Sequence, residues 1–492
     1  MAKIYNGRIM EKIEVEKFDE VYIKIKAEPG IMMELSDVFT FPVPGAQFSP
    51  LYRNKVWDGK IRLLNVMTGL IYAGLLGYVE DFCEKRKYEI EYISDFSTEE
   101  FSIKEAKEFI ARVKPTLEPR DYQLDAFVHA VRERRALLLS PTASGKSFII
   151  YMLVRYYAKR TLILVPTTSL VSQLASDFAE YGFDSDAFVH RVYAGQDKGS
   201  RKPITISTWQ SVYKLPKEFF DSFDVVIGDE AHLFKAKSLT SILTKLSGCR
   251  YRFGFTGTLD GTQTNRLVLE GLFGPVRKVI TTAELIEKKH VADLQIKAIV
   301  LSYPEEARKM IARSGDYQSE MDYLVRLEAR NKFIRNLSLS LEGNTLLLFQ
   351  FVEKHGKELY AKIKEEAGDR KVFYVAGKVE GEEREEIRKI VENESNAVIV
   401  ASYGTFSTGV NIKNLHNVIF SSPSKSRVRN LQSIGRGLRK SDNKTAATLY
   451  DIADDLTWKS KKNYTLLHFM ERVKIYNEEK FKYKLYKVSI EV

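Results

Sequence analysis

Residues 140–147 read Ser-Pro-Thr-Ala-Ser-Gly-Lys-Ser, between an apolar run, Ala136-Leu137-Leu138-Leu139, and a mostly apolar stretch from Phe148 to Ala158. A buried strand, a tight turn and a helix in that order constrain the chain more than any other segment. Such a turn aims backbone N–H groups and a helix N-terminus at one point in space. A triphosphate crowds negative charge that water normally solvates, so a protein that binds one must replace that hydration with fixed donors and a cation. The turn through Thr142, Ala143, Ser144 and Gly145 offers the donors, Lys146 the charge, and the Ser147 hydroxyl a ligand for Mg2+. Each charge-assisted contact contributes about 1.5–3 kcal/mol. Ser140 stands where the usual loop has its first glycine and Ala143 occupies its middle. Alone, the segment also suits a glycine-serine turn that happens to contain a lysine.

A second feature removes most of that ambiguity. The run Phe223-Asp224-Val225-Val226-Ile227-Gly228 is apolar enough for a buried strand and delivers Asp229-Glu230-Ala231-His232 at its carboxyl end, where open α/β sheets place ligands. Asp229 is expected to hold Mg2+ and Glu230 to orient or deprotonate the attacking water, since phosphoryl transfer demands positioning and charge stabilisation. Together the two segments indicate binding and hydrolysis of a nucleoside triphosphate.

At 492 residues the chain exceeds what one core usually covers, so three or more domains are expected. No apolar run approaches membrane length and Met1–Met10 lacks a signal-like core, which points to a cytoplasmic protein with no membrane partner. Cys83 and Cys249 are too few for a disulfide framework or a thiolate zinc site, and the seven histidines show no metal spacing. A formal charge of +11 suggests a polyanionic partner. Ser421–Lys440 carries Lys425, Arg427, Arg429, Arg436, Arg439 and Lys440 without an acid, and the tail adds further lysines and Arg472 among four glutamates.

Alternation at Val21–Lys26 and Ile61–Leu64 suggests strands before a proline-marked linker at 114–119. Strands and helices then alternate, with strands expected at Thr161–Val165, Ile204–Ser207, Val225–Ile227 and Tyr251–Phe255 and a helix at Leu170–Tyr181. A second series follows at Thr345–Phe351, Lys371–Val375, Ala397–Ala401, Asn417–Phe420 and Ala446–Tyr450. That rhythm implies two α/β parallel-sheet lobes. The expected division is a small α+β N-terminal domain at 1–115, a first lobe at 116–275, a connection at 276–343, a second lobe at 344–456 and a short helical, basic tail at 457–492.

Further segments resemble the motifs of superfamily 2 helicases, a likeness covering roughly 120–455 and implying RecA-like lobes. Arg120-Asp121-Tyr122-Gln123 is similar to the segment whose glutamine reads the adenine edge, which implies Gln123 as an ATP contact. Val165–Leu170 and Ser207–Gln210 resemble segments that grip one strand's backbone, implying Thr167, Thr208 and Trp209 as nucleic-acid contacts. Thr256-Gly257-Thr258 resembles the motif that couples the acidic site to nucleic acid through His232. Phe406–Asn411 and Gln432–Arg439 resemble second-lobe motifs facing the ATP cleft, implying Thr408 on nucleic acid and Gly409 on the nucleotide. Arg436 and Arg439 share a face of a predicted helix with Gln432 and are candidate arginine fingers, worth about 10³–10⁵ in rate in other nucleoside triphosphatases. The alternative is a basic helix face that touches phosphate backbone.

Phe48-Ser49-Pro50, Arg53 and Val56 through Leu64 resemble the N-terminal domain of UvsW-type phage helicases. Asp58-Gly59 is also a hairpin signal in its own right. The resemblance implies an ATP-dependent, 3′-5′ DNA helicase of phage recombination, replication and repair, acting on forks, Holliday junctions and RNA–DNA loops, with strand annealing as a further activity. Its partners would be single-stranded and branched DNA, RNA–DNA hybrids, and single-strand-binding or replication proteins, with the chain a monomer or weak oligomer in the infected host's cytoplasm. Two alternatives stay open, an RNA-directed helicase and an ATP-regulated annealing protein that opens no duplex. The first 120 residues hold 18 basic against 20 acidic side chains, a formal −2, so broad electrostatic DNA binding by this domain is not expected. A local surface bearing Arg53 and Lys55 is the candidate contact, with Trp57 expected in the core.

Overall fold

The computed structural model describes residues 4–5, 8–9, 11–43, 45–193, 199, 201–233, 236–259, 263–376, 390, 393–404, 412, 414–422, 426, 433–435 and 446–491. The chain divides into two compact units, one of residues 1–140 and 145–279, the other of residues 141–144 and 280–492.

The first unit is built on a seven-stranded parallel sheet in the order Val189–Val192, Ile204–Thr208, Thr161–Val165, Val225–Gly228, Tyr251–Thr256, Arg135–Leu139, Val276–Lys278. The central strands are buried throughout, and their continuous apolar runs are what a sheet covered on both faces requires. One face packs on the helices Asp121–Glu133, Lys146–Tyr157 and Thr168–Glu180.

The N-terminal residues form a separate four-stranded sheet, Leu70–Tyr72, Tyr22–Lys26, Lys12–Lys17, Glu89–Tyr92, mixed in direction. Its apolar face merges with the other face of the large sheet into one hydrophobic core. Close approach there depends on glycine: a Cβ at Gly74 would lie 2.0 Å from the Glu270 carbonyl oxygen, and one at Gly271 2.8 Å from Tyr72. The Arg135 guanidinium donates to the Glu20 carbonyl at 2.7 Å, and buried Arg252 donates to the carbonyls of Leu243, Leu246 and Leu272. The N-terminal sheet is thus fastened to the first lobe by a shared core and the Arg135 bond to Glu20. The helix Ile103–Val113, which precedes the proline-marked linker, also packs into the first lobe's core through Ala106 and Phe109.

The second unit carries another seven-stranded parallel sheet, in the order Val372–Val375, Val398–Ser402, Thr345–Phe349, Asn417–Phe420, Ala446–Asp455, Asp293–Ser302, Tyr483–Ser489. Asp293–Ser302 comes from the segment expected as a connection. The tail forms the expected helix at Tyr464–Glu478 and then adds the edge strand Tyr483–Ser489, whose lysine-rich alternation reads in sequence only as charge.

Arg472, counted above with the basic surface of the tail, is buried. Its guanidinium meets Asp451 at 2.7 Å, and the Tyr476 hydroxyl donates to the same carboxylate at 2.7 Å. Asp454, three residues further along the same strand, points to the opposite face and binds Arg330 at 2.7 Å and Tyr303 at 2.6 Å. Removing one partner of such a pair strands the other without solvent. Arg472→Ala is expected to lower unfolding stability by about 3–5 kcal/mol in urea titration. Lys484→Ala, on the exposed edge strand, should change it by less than about 0.5 kcal/mol.

Candidate active site

The chain leaves the central strand Val225–Gly228 at Asp229, whose N–H makes a last sheet bond to the Leu164 carbonyl at 2.9 Å. Glu230 then takes a left-handed φ of 51°, and its N–H donates to Asp229 Oδ1 at 2.9 Å. That turn sets two carboxylates side by side at the carboxyl edge of the sheet. One strand intervenes between theirs and Arg135–Leu139, after which Ser140 N–H bonds the Thr256 carbonyl at 2.8 Å and the phosphate loop begins.

Within the loop Ala143 and Gly145 hold φ of 68° and 79°, and the Ser144 hydroxyl donates to the Pro141 carbonyl at 2.6 Å. Gly145 ends the loop as the N-cap of the helix Lys146–Tyr157. A Cβ there would lie 2.3 Å from Gln123 Nε2 on a left-handed backbone, so any side chain would be strained and would displace the Gln123 amide. Gln123 is buried; its Oε1 accepts from Arg120 N–H at 2.9 Å and its Nε2 donates to the Gly145 carbonyl at 3.4 Å. It ties the N-terminus of the helix Asp121–Glu133 to the end of the loop at Gly145.

Lys146 Nζ lies 2.5 Å from Glu230 Oε1 and 3.8 Å from Asp229 Oδ1, so one cation serves both carboxylates. Burial pushes the Asp229 carboxyl up to about 6, opposed by Lys146 and assisted by the charge of Glu230. A divalent cation would hold that carboxylate ionised. Asp229 and Ser147 are the hard oxygen donors Mg2+ requires, and among the described residues no group of three or more His, Cys, Asp or Glu could hold a metal. Two such donors suit a cation whose remaining positions are filled by phosphate oxygens. Ser147 Oγ shares a hydrogen bond of 2.8 Å with the hydroxyl of Tyr181, a buried residue that no motif marks in the sequence.

The acidic turn is wired onward. His232 Nδ1 lies 2.6 Å from Thr256 Oγ1 and 3.6 Å from Glu230 Oε2, and Thr256 Oγ1 donates to the Thr258 carbonyl at 2.6 Å. Glu230, His232, Thr256 and Thr258 thus form one polar chain leading away from the carboxylates.

The segments expected on nucleic acid leave adjacent strands at one edge, because Val165 and Thr208 are opposite each other in the parallel register. Thr167 caps the helix Thr168–Glu180, accepting from Leu170 N–H, and Thr208 Oγ1 pairs with Ser211 at 2.8 Å. Gln210 Nε2 donates to the Pro166 carbonyl at 3.2 Å and joins the two segments. Trp209 is half-buried, packed edge-on to Tyr213 and against the core, so it supports its segment from beneath. Arg53 and Lys55 lie on a separate small module of the N-terminal part. Trp57 there is half-buried and not a core residue as expected: its indole N–H donates to the Lys60 carbonyl at 2.8 Å, because the module is too small to enclose the ring. Thr408, Gly409, Gln432, Arg436 and Arg439 lie outside the described residues.

Comparison with known proteins places this geometry. Family models for the res subunit of type III restriction enzymes, the N-terminal domain of the DNA helicase UvsW and the helicase conserved C-terminal domain match residues 116–261, 12–93 and 328–441. The sequence is 36% identical to the ATP-dependent DNA helicase uvsW of Enterobacteria phage T4, covering 97% of this chain and 100% of the relative. It is 28% identical to the DNA 3'-5' translocase XPB2 of Sulfurisphaera tokodaii, over 67% of this chain and 80% of that one. The crystal structure of T4 UvsW superposes with a TM-score of 0.52 at 35% identity, covering 97% of this chain and 99% of that chain. Saccharomyces cerevisiae Dbp5 bound to RNA and ADP BeF3 shares the fold alone, with a TM-score of 0.53 at 13% identity over 78% and 93% of the two chains.

Proposed function

Because the chain belongs to the UvsW family of ATP-dependent DNA helicases, we propose that it couples ATP hydrolysis to 3′-5′ movement on DNA and remodels forks, Holliday junctions and RNA–DNA loops in phage recombination, replication and repair. The observation that supports this is the polar chain from Lys146 and Glu230 through His232 to Thr256 and Thr258, which ties the carboxylates to the end of the neighbouring strand Tyr251–Thr256, the segment expected to couple the site to nucleic acid. Lys146 holds the triphosphate, Asp229 and Ser147 hold Mg2+, and Glu230 positions the attacking water. Gln123, Thr142, Ala143, Ser144, Gly145 and Gly409 line the nucleotide, while Gln432, Arg436 and Arg439 stabilise transition-state charge. Thr167, Thr208 and Thr408 position phosphates without reading bases. The polarity is supported by the likeness to the DNA 3'-5' translocase XPB2 of Sulfurisphaera tokodaii. The protein acts in the host cytoplasm as a monomer or weak oligomer.

ATP hydrolysis and strand release compared on fork, four-way junction, RNA–DNA loop and linear duplex are expected to favour the branched substrates, with matched RNA duplex opened poorly. Equal rates on branched and linear DNA would remove the branch-specific part. Annealing that survives Lys146→Ala, beside no wild-type unwinding, would establish the annealing alternative instead.

A further inference from the structure

The residues between the paired strands Thr40–Pro42 and Lys60–Arg62 make a small module whose backbone is tied to itself while its apolar side chains face water. Val43 N–H bonds the Gly59 carbonyl at 2.8 Å, and the N–H groups of Val56 and Trp57 both reach the Leu51 carbonyl. Gly59 holds a φ of +77°, with the Tyr52 ring 2.9 Å from where a Cβ would stand. Around this ordered frame Phe48 is 70% exposed, Leu51 55%, Val56 74% and Ile61 36%. Each such side chain forgoes part of the free energy of burial, and grouped exposed apolar residues mark a binding surface. Lys55 keeps a left-handed φ of 55°, strain of the kind that collects at functional sites.

Charge decides what the surface suits. Arg53, Lys55, Lys60 and Arg62 surround the apolar residues, and the single carboxylate from 45 to 62, Asp58, is bound by Arg62 at 2.5 Å. A polyanion that also presents flat apolar faces matches such a surface, and unpaired nucleic-acid bases on their phosphate backbone are that chemistry. Apolar wedges set among cations are also how other proteins part stacked base steps. We propose that this module is a base-stacking wedge that takes up the first unpaired base at a DNA branch, with Phe48 and Val56 against the base and Lys55 and Lys60 against the flanking phosphates. The proposal rests on the DNA-remodelling function above.

The test is binding of the full chain, without nucleotide, to a fork and to the same fork with an abasic sugar at the branch. Phe48→Ser combined with Val56→Ser is expected to weaken fork binding by roughly 5- to 150-fold. The abasic sugar should cost the wild type a similar factor and the double variant almost nothing, the signature of a shared contact. Phe48→Trp should bind as the wild type does, showing that a stacking face and not the fold is at stake. Wild-type fork affinity in the double variant, or an abasic cost equal in both proteins, overturns the proposal. A wild-type dimer in sedimentation that Phe48→Ser dissolves also overturns it, in favour of a second copy. Failure of the helicase function is a separate result, since it would appear as wild-type ATP hydrolysis that no DNA stimulates.

Discussion

Lys146→Ala is expected to lower DNA-stimulated ATP hydrolysis at least about a hundredfold, the loss seen when one preorganised electrostatic contact to a transition state is removed. The geometry makes the effect double. Lys146 is the cation that lies 2.5 Å from Glu230 and 3.8 Å from Asp229, so its loss leaves two adjacent, largely buried carboxylates without it. Burial already pushes Asp229 up to about 6, and without the lysine it would rise further, weakening the ligand meant for Mg2+. The triphosphate loses its positive partner at the same moment. DNA binding should persist, because Thr167 and Thr208, the proposed backbone contacts, are held by their own strand ends, helix cap and side-chain bonds. Steady-state ATPase and fluorescence anisotropy on the same preparation check both halves. A variant that hydrolyses ATP at the wild-type rate, or one that loses DNA binding in step with hydrolysis, contradicts this assignment.

Glu230→Gln separates binding from chemistry. The amide keeps the size of the side chain and removes the charge that positions or deprotonates water, so turnover is expected to fall roughly 100- to 10,000-fold, the range for losing a general base. ATP affinity should hold or increase. Lys146 is engaged by the Glu230 carboxylate, and a triphosphate must compete for that ammonium; glutamine competes less. Single-turnover hydrolysis beside equilibrium ATP binding reads the two quantities apart. The His232 to Thr256 bond of 2.6 Å does not depend on the carboxylate, so nucleotide-dependent DNA binding is expected to remain. Turnover within about tenfold of wild type would move the base role to another residue.

The chemistry of the site is legible in sequence because it rides on short contiguous patterns. A strand, a glycine-lysine-serine turn and a helix must aim their donors together wherever they occur, and a buried strand must release Asp229 and Glu230 at its end. The alternation of apolar strands with helices likewise implies parallel sheets, since parallel neighbours need crossovers. Periodicity is a poorer guide where a strand is half exposed. Tyr483–Ser489 carries lysines along an edge and reads as a charged tail, yet its backbone completes the second sheet beside Asp293–Ser302.

The remaining features depend on partners far apart along the chain. Tyr181 reaches Ser147 across 34 residues, and Arg472 reaches Asp451 from a helix whose charge alone suggests a solvated surface. Trp57 and its exposed apolar neighbours carry the composition of a core, but the module is too small to have one. Docking of the N-terminal sheet on the first lobe follows from glycines that let Gly74 and Gly271 approach backbone and ring. Local spacing therefore determines that a lysine-bearing turn and a pair of carboxylates sit at strand ends of one parallel sheet, the arrangement expected of a nucleotide site. Which arginine is buried, which tyrosine meets the serine and which apolar side chains are left exposed are outcomes of packing, because burial is settled by what the folded chain brings opposite each residue.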